Sequence, residues 1–155
     1  MKIVVLLMLL TICAVCTDDA NAAAGRKFYL TKGSFDGAHA LQACVSGFHM
    51  ASLWEIYDVS NVRYDRTLGY LTTDSGFGPP AASFGWVRTG NTPDVASTPG
   101  IGNCSVWTSN NPSYHGTLIE LPIDWANVEL GVQIGSWSAG TADCGFETRV
   151  WCVQN

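Results

Sequence analysis

Charge is scarce in this 155-residue chain: Asp, Glu, Lys and Arg together make up 14%, and eight basic side chains face thirteen acidic ones, a net charge of −5. An acidic surplus repels phosphate backbones and anionic lipid, so no nucleic-acid partner is expected. Beyond its first residues the chain also lacks any apolar run approaching the roughly 20 residues that a membrane-spanning helix needs. Catalytic signatures are missing too. No H-E-x-x-H, G-x-S-x-G or paired Cys/His motif occurs, and the three histidines, His39, His49 and His115, lie far apart in the chain, so no enzyme and no cofactor are expected. What the chain does have is apolar: 47% hydrophobic residues, six Trp, sixteen Gly and six Cys. That composition excludes disorder, collagen and coiled coil, and points to one folded domain.

The first fifteen residues carry Lys2 and then the apolar stretch Ile3 to Leu10, too short for a bilayer span and suited to the core of a secretion signal. Ala20-Asn21-Ala22 offers small residues where a signal peptidase reads, so cleavage is expected after Ala22. This divides the chain into a signal peptide, 1–22, and a domain, 23–155, secreted to the extracellular space or the periplasm. Removing the leader takes Lys2, Asp18 and Asp19 with it and leaves a net charge of −4. Cys13 and Cys16 also leave. They precede the domain in a C-x-x-C that lacks the βαβ surroundings of a redox motif. Four cysteines remain, Cys44, Cys104, Cys144 and Cys152. An even count in an exported chain is a disulfide framework, and its three pairings cannot be separated by spacing.

Lys27 to Thr31 is short and β-prone between Gly25 and Gly33, a first strand. Asp36 can cap a first helix with Ala38, Leu41, Cys44 and Val45 on its inner face and Gly47 closing it. Ser52-Leu-Trp-Glu55 is a capping box that opens a second helix, with Leu53, Ile56 and Tyr57 inward and its end near Asn61. From Thr72 to Gly102 the composition turns to Gly, Pro, Ser, Thr and Asp around one strand, Phe84 to Thr89; so long a loop region is where a binding surface is expected. Cys104 to Thr108 and Gly116 to Leu121 read as further strands. In the last one, Arg149 to Val153, Val150 and Cys152 face one way and Arg149, Trp151 and Val153 the other. All six tryptophans, Trp54, Trp86, Trp107, Trp125, Trp137 and Trp151, are expected in the core.

This order of one strand, two helices, a loop-rich middle and a cysteine-bearing terminal strand resembles the C-type lectin-like fold, an α+β architecture. Gly47-Phe-His-Met-Ala-Ser-Leu53 and Gly85-Trp-Val-Arg-Thr-Gly90 look like that family's approach to its second helix and its Trp-containing strand. The spacing of Cys104-x-x-Trp107, Cys144 and Val150-Trp-Cys-Val153 is similar to the calcium-independent endostatin-like branch. The resemblance implies the pairs Cys44 with Cys152 and Cys104 with Cys144. It also implies where sugar-binding calcium ligands would stand, and this chain departs there. Asn91-Thr-Pro-Asp94 has Thr92 in place of the acidic or amide ligand, and Trp137 to Asp143 lacks the Trp-Asn-Asp triplet. Standard calcium-dependent sugar binding is therefore not expected, and no metal is assigned.

The expectation is a secreted, non-catalytic module that recognises an extracellular glycan or protein; the alternative is a structural or matrix component that self-associates. Loop aromatics supply stacking area at low entropic cost, which nominates Tyr70, Phe77, Phe84 and Tyr114, with Asp94 beside them. Asn103-Cys104-Ser105 matches the N-glycosylation sequon, and Asn103 is taken as unmodified.

Overall fold

The computed structural model describes residues 25–58, 61–72, 83–89, 101–121 and 137–155. The expected signal peptide, Phe77, Asp94 and Trp125 lie outside these residues.

The last strand organises the molecule. β7 (Arg149–Gln154) is rich in β-branched and aromatic residues, and four of its six are buried. Its two faces feed separate cores, as the alternation predicts. Trp151 and Val153 pack with Phe28, Leu30, Ile56 and Ile119. Val150 and Cys152 pack with Tyr29, Met50, Trp86 and Trp107 on the other side. A strand buried on both faces must lie inside its sheet. β1 (Arg26–Leu30) runs antiparallel along one of its edges, with Tyr29 opposite Cys152. On the other edge β2 (Phe48–Met50) pairs antiparallel, with Met50 opposite Cys152. β4 (Phe84–Trp86) then pairs parallel, with Gly85 opposite Arg149. β3 (Val62–Tyr64) lies parallel outside β1, while β5 (His115–Glu120) and β6 (Ser138–Asp143) extend the sheet beyond β4. Among the described residues the result is a mixed seven-stranded sheet with two short helices, α1 (Leu53–Tyr57) and α2 (Cys104–Trp107), an α+β fold.

Two disulfides staple it, with the pairing implied above. Cys44 joins Cys152 across a sequence separation of 108, and Cys104 joins Cys144 across 40, with Cα–Cα distances of 5.7 and 5.5 Å. β4 approaches β7 closely because of Gly85. A Cβ there would lie 2.4 Å from Leu30 Cδ1 and 2.9 Å from Trp151 Cδ1.

Several expectations are corrected. The first helix shrinks to a 3-10 turn, Ala40–Gln42. Asp36 Oδ1 does accept from the backbone of Ala38 and His39 at 3.1 and 3.0 Å. The turn does not propagate, because the supposed inner face is not buried: Leu41 and Val45 are exposed while Ala40 is fully covered. A short helix without a packed apolar stripe does not offset its nucleation cost. Gly47 takes the left-handed conformation (φ 84) and leads into β2, a strand that the sequence reading did not anticipate. α1 keeps its cap and its inward residues but stops at Tyr57, because β3 begins at Val62. β6 was also unanticipated, since Ser138-Ala-Gly-Thr-Ala142 has few of the residue types that mark a strand.

The expected strand at Cys104 is instead one left-handed turn, with φ between 50 and 60° from Cys104 to Trp107. Both ends are tethered to the same core. Cys104 is bonded to Cys144, Trp107 packs edge-on against Trp86 with centroids 5.6 Å apart, and Asn103 Oδ1 accepts from the Val106 backbone at 3.2 Å. An extended segment spans about 10 Å over three residues and would not return both ends to one cluster.

Candidate ligand-binding surface on the short helix

α1 is held by its capping box. Glu55 Oε2 accepts from the Ser52 backbone at 3.0 Å and from its hydroxyl at 2.7 Å, while Ser52 Oγ accepts from the Glu55 backbone at 3.4 Å. The same carboxylate gathers three other elements. Arg26 of β1 donates to Oε1 at 3.2 Å, His49 Nε2 of β2 lies 3.0 Å from Oε1, and Arg88, just past β4, places a guanidinium nitrogen 3.7 Å from Oε2. Arg88 Nε also donates to Met50 O at 2.7 Å, and its carbonyl accepts from Leu53 N at 2.9 Å. Arg26 donates to the Gln154 carbonyl, and His49 Nδ1 sits 2.7 Å from Asn155 Oδ1. A five-residue helix is thereby fixed to β1, β2, β4 and the end of β7.

Burial alone would raise the Glu55 pKa. The Ser52 hydrogen bonds and the His49 ring outweigh that and hold it at about 2. A carboxylate so strongly ionised is poorly matched to proton transfer near neutral pH, so the His49–Glu55 contact works as a clamp. The other histidine-carboxylate contact, His39 Nδ1 to Asp36 at 2.6 Å, is on the surface. His115 of β5 stands apart from both, its buried Nδ1 without a hydrogen-bond partner among the described residues. Among those residues no group of three His, Cys, Asp or Glu is placed to hold a metal ion, and no helix is long and apolar enough to cross a membrane.

On this clamped helix Trp54 is 81% exposed. The core expectation holds for Trp86, Trp107 and Trp151, which are buried, and Trp137 packs partly against the first core cluster. For Trp54 it is overturned. With Leu53, Ile56 and Tyr57 turned inward, helical period rotates Trp54 about 100° away from Leu53 and out to solvent. The capping box carried that signal, because it fixes where the period starts. One turn along, Tyr57 meets Trp137 edge-on, with ring centroids 4.1 Å apart.

The loop aromatics are distributed differently. Tyr70 is half-buried under the Arg149 guanidinium, whose carbon lies 3.6 Å from the ring centroid. Phe84 is 39% exposed, on the sheet face that carries Trp86, whereas Arg149 shares the face of Trp151. Tyr70 and Phe84 thus lie on opposite sides of the sheet. Tyr114 packs against the second core cluster, and its carbonyl accepts from Cys144 N at 2.9 Å. Asn103 of the sequon is 3% exposed, with its side-chain oxygen already engaged.

Comparison with protein-family models, with curated proteins and with solved structures returns no match.

Proposed function

We propose that this chain is a secreted, non-catalytic recognition module of the C-type lectin-like kind, binding an extracellular glycan or protein without calcium through the exposed face of α1. One observation carries the reading. A large indole stands 81% exposed on a helix whose Glu55 carboxylate meets Arg26 of β1, His49 of β2 and Arg88 just past β4. An exposed indole on such a helix serves as a recognition anchor, because the backbone that carries it is already in place before the ligand arrives and does not have to order on binding. The fold assignment is supported by the antiparallel pairing of β1 with β7 and by the two disulfides, one joining Cys44 to Cys152 of β7 and the other joining Cys104 of α2 to Cys144 just after β6. Those same disulfides support a location in the extracellular space or the periplasm.

The test is an array of extracellular glycans and matrix proteins probed with the oxidised chain, with calcium and with a chelator. Trp54→Ala is run in parallel with Tyr70→Ala, Phe84→Ala and Tyr114→Ala. Binding that survives the chelator and is lost in Trp54→Ala is the expected result. Binding that needs calcium, or that is lost only in the loop variants, would place recognition elsewhere. Concentration-dependent self-assembly without any array signal would favour a matrix role.

A further inference from the structure

We propose that Asn103 accepts an N-linked oligosaccharide only while the chain is unfolded and reduced, so that a glycan at Asn103 and the Cys104–Cys144 disulfide exclude one another. Such a site acts during the maturation of an exported chain and does not depend on what α1 binds.

Asn103-Cys104-Ser105 supplies the amide acceptor and, two residues on, the hydroxyl that the transfer requires. The donor is an oligosaccharide carried on a lipid pyrophosphate. Its C1–O bond to the pyrophosphate breaks, a C1–N bond forms to Asn103 Nδ2, the amide gives up one proton, and the lipid pyrophosphate leaves. The product is bulky and strongly hydrated, a group that belongs on a surface. In the unfolded chain nothing around Asn103 prevents it.

The folded chain has no room for that product. Asn103 is 3% exposed and sits between buried Gly102 and Cys104. Its carbonyl accepts from Trp107 N at 2.7 Å, its Oδ1 accepts from Val106 N at 3.2 Å, and it bridges antiparallel to Gly116. The surroundings are closely packed: a Cβ on Gly116 would lie 2.7 Å from Trp86 Cζ3 and 2.8 Å from Cys104 Sγ. A sugar attached at Nδ2 would have to be buried here, away from the water that solvates its hydroxyls.

Nor can the side chain swing out while its neighbours stay in place. Before it, Gly102 O accepts from both Thr117 N and Thr117 Oγ1, each at 3.0 Å. After it, Cys104 is fully buried and bonded to Cys144, and the chain runs left-handed as far as Trp107, which packs on Trp86. Left-handed backbone at residues with side chains is unfavourable by itself and persists only where it is held. The Asn103 cap and the disulfide are two of the restraints that hold it. A glycan that keeps Asn103 in solvent removes the cap and the bridge to Gly116, and with them the turn that delivers Cys104 to Cys144. Conversely, closing that disulfide in the native turn buries the acceptor.

The test offers the full chain to a purified eukaryotic oligosaccharyltransferase and its lipid-linked donor, so the outcome does not depend on where the chain travels. One sample is oxidised and folded; the other is reduced in dithiothreitol with enough urea to abolish its near-ultraviolet circular dichroism. An acceptor peptide in each tube reports that the enzyme is active. Intact mass should show one added oligosaccharide on the unfolded chain, at least about tenfold more than on the oxidised chain, where access to Asn103 requires the fold to open. Ser105→Ala should abolish the addition in both samples. Returned to oxidising conditions, the glycosylated chain should yield no Cys104–Cys144 cross-linked peptide, whereas unglycosylated chain carried through the same steps should yield it. Equal modification of the oxidised chain, no modification of the unfolded chain beside a modified acceptor peptide, or a glycosylated chain that regains the Cys104–Cys144 bond would each overturn the proposal.

Discussion

At the scale of single residues, Glu55 gathers Ser52, Arg26, His49 and Arg88, and its behaviour with pH follows from those surroundings. Its folded pKa, about 2, lies below the ordinary value of 4.5. A depressed carboxylate contributes stability that is fully present above pH 4.5 and is lost as the pH falls toward 2. The full shift corresponds to about 3 kcal/mol; solvent screening at this partly open site reduces the expected loss to about 1–2 kcal/mol. Glu55→Gln preserves a capping-box geometry but not the charge. Urea unfolding of that variant should show lower stability at pH 7 and a flatter profile between pH 4.5 and 2; an unchanged profile would mean that the clamp is not electrostatic. The capping box itself was legible in the sequence, because Ser52 and Glu55 stand three apart before an apolar run. The convergence of Arg26, His49 and Arg88 on it was not, since those residues meet only through strand pairing. For Trp54 the helical period points outward, and that local signal prevails over the general tendency of tryptophan to be buried.

At the scale of elements, what could be read was what local pattern decides. The alternation of β7 and the strand at Gly116 to Leu121 are present as expected, and both are rich in β-branched residues. What failed was decided by tertiary tethers. The turn at Cys104 bends left-handed because its two ends are held in one core, and β2 and β6 exist because β7 and β5 provide edges for them. Two consequences can be measured. Val106 is β-branched, 60% exposed and at φ 58°, so Val106→Gly should stabilise the fold by about 1 kcal/mol by removing left-handed strain; a lower melting temperature would contradict that backbone. Gly85→Ala drives a methyl into Leu30 and should cost about 1–3 kcal/mol. Gly140→Ala in β6, where the nearest atom is Phe84 Cε1 at 3.9 Å, should be close to neutral in the same denaturation assay.

At the scale of the whole molecule, the framework depends on which cysteines are joined, and spacing alone left three choices open. The structure joins Cys44 to Cys152 and Cys104 to Cys144, the pairing implied by the C-type lectin-like resemblance. On the chain-entropy account, loops of these lengths restrict the unfolded state by about 5 and about 4 kcal/mol. Replacing Cys104 and Cys144 together by alanine should therefore lower stability by up to about 4 kcal/mol. Non-reducing peptide mapping should recover exactly the two named cross-linked peptides; a Cys44–Cys104 peptide would refute the topology. The staples fix the strands on which α1 is clamped, and so where the proposed recognition helix presents Trp54. That display is the centre of the account, and hydroxyl-radical footprinting of the oxidised chain, with and without its best array ligand, tests it most directly. Trp54 should be modified far faster than Trp86, Trp107 and Trp151 in the free protein and become protected in the complex. Slow modification of free Trp54, or protection confined to Tyr70, Phe84 and Tyr114, would contradict it.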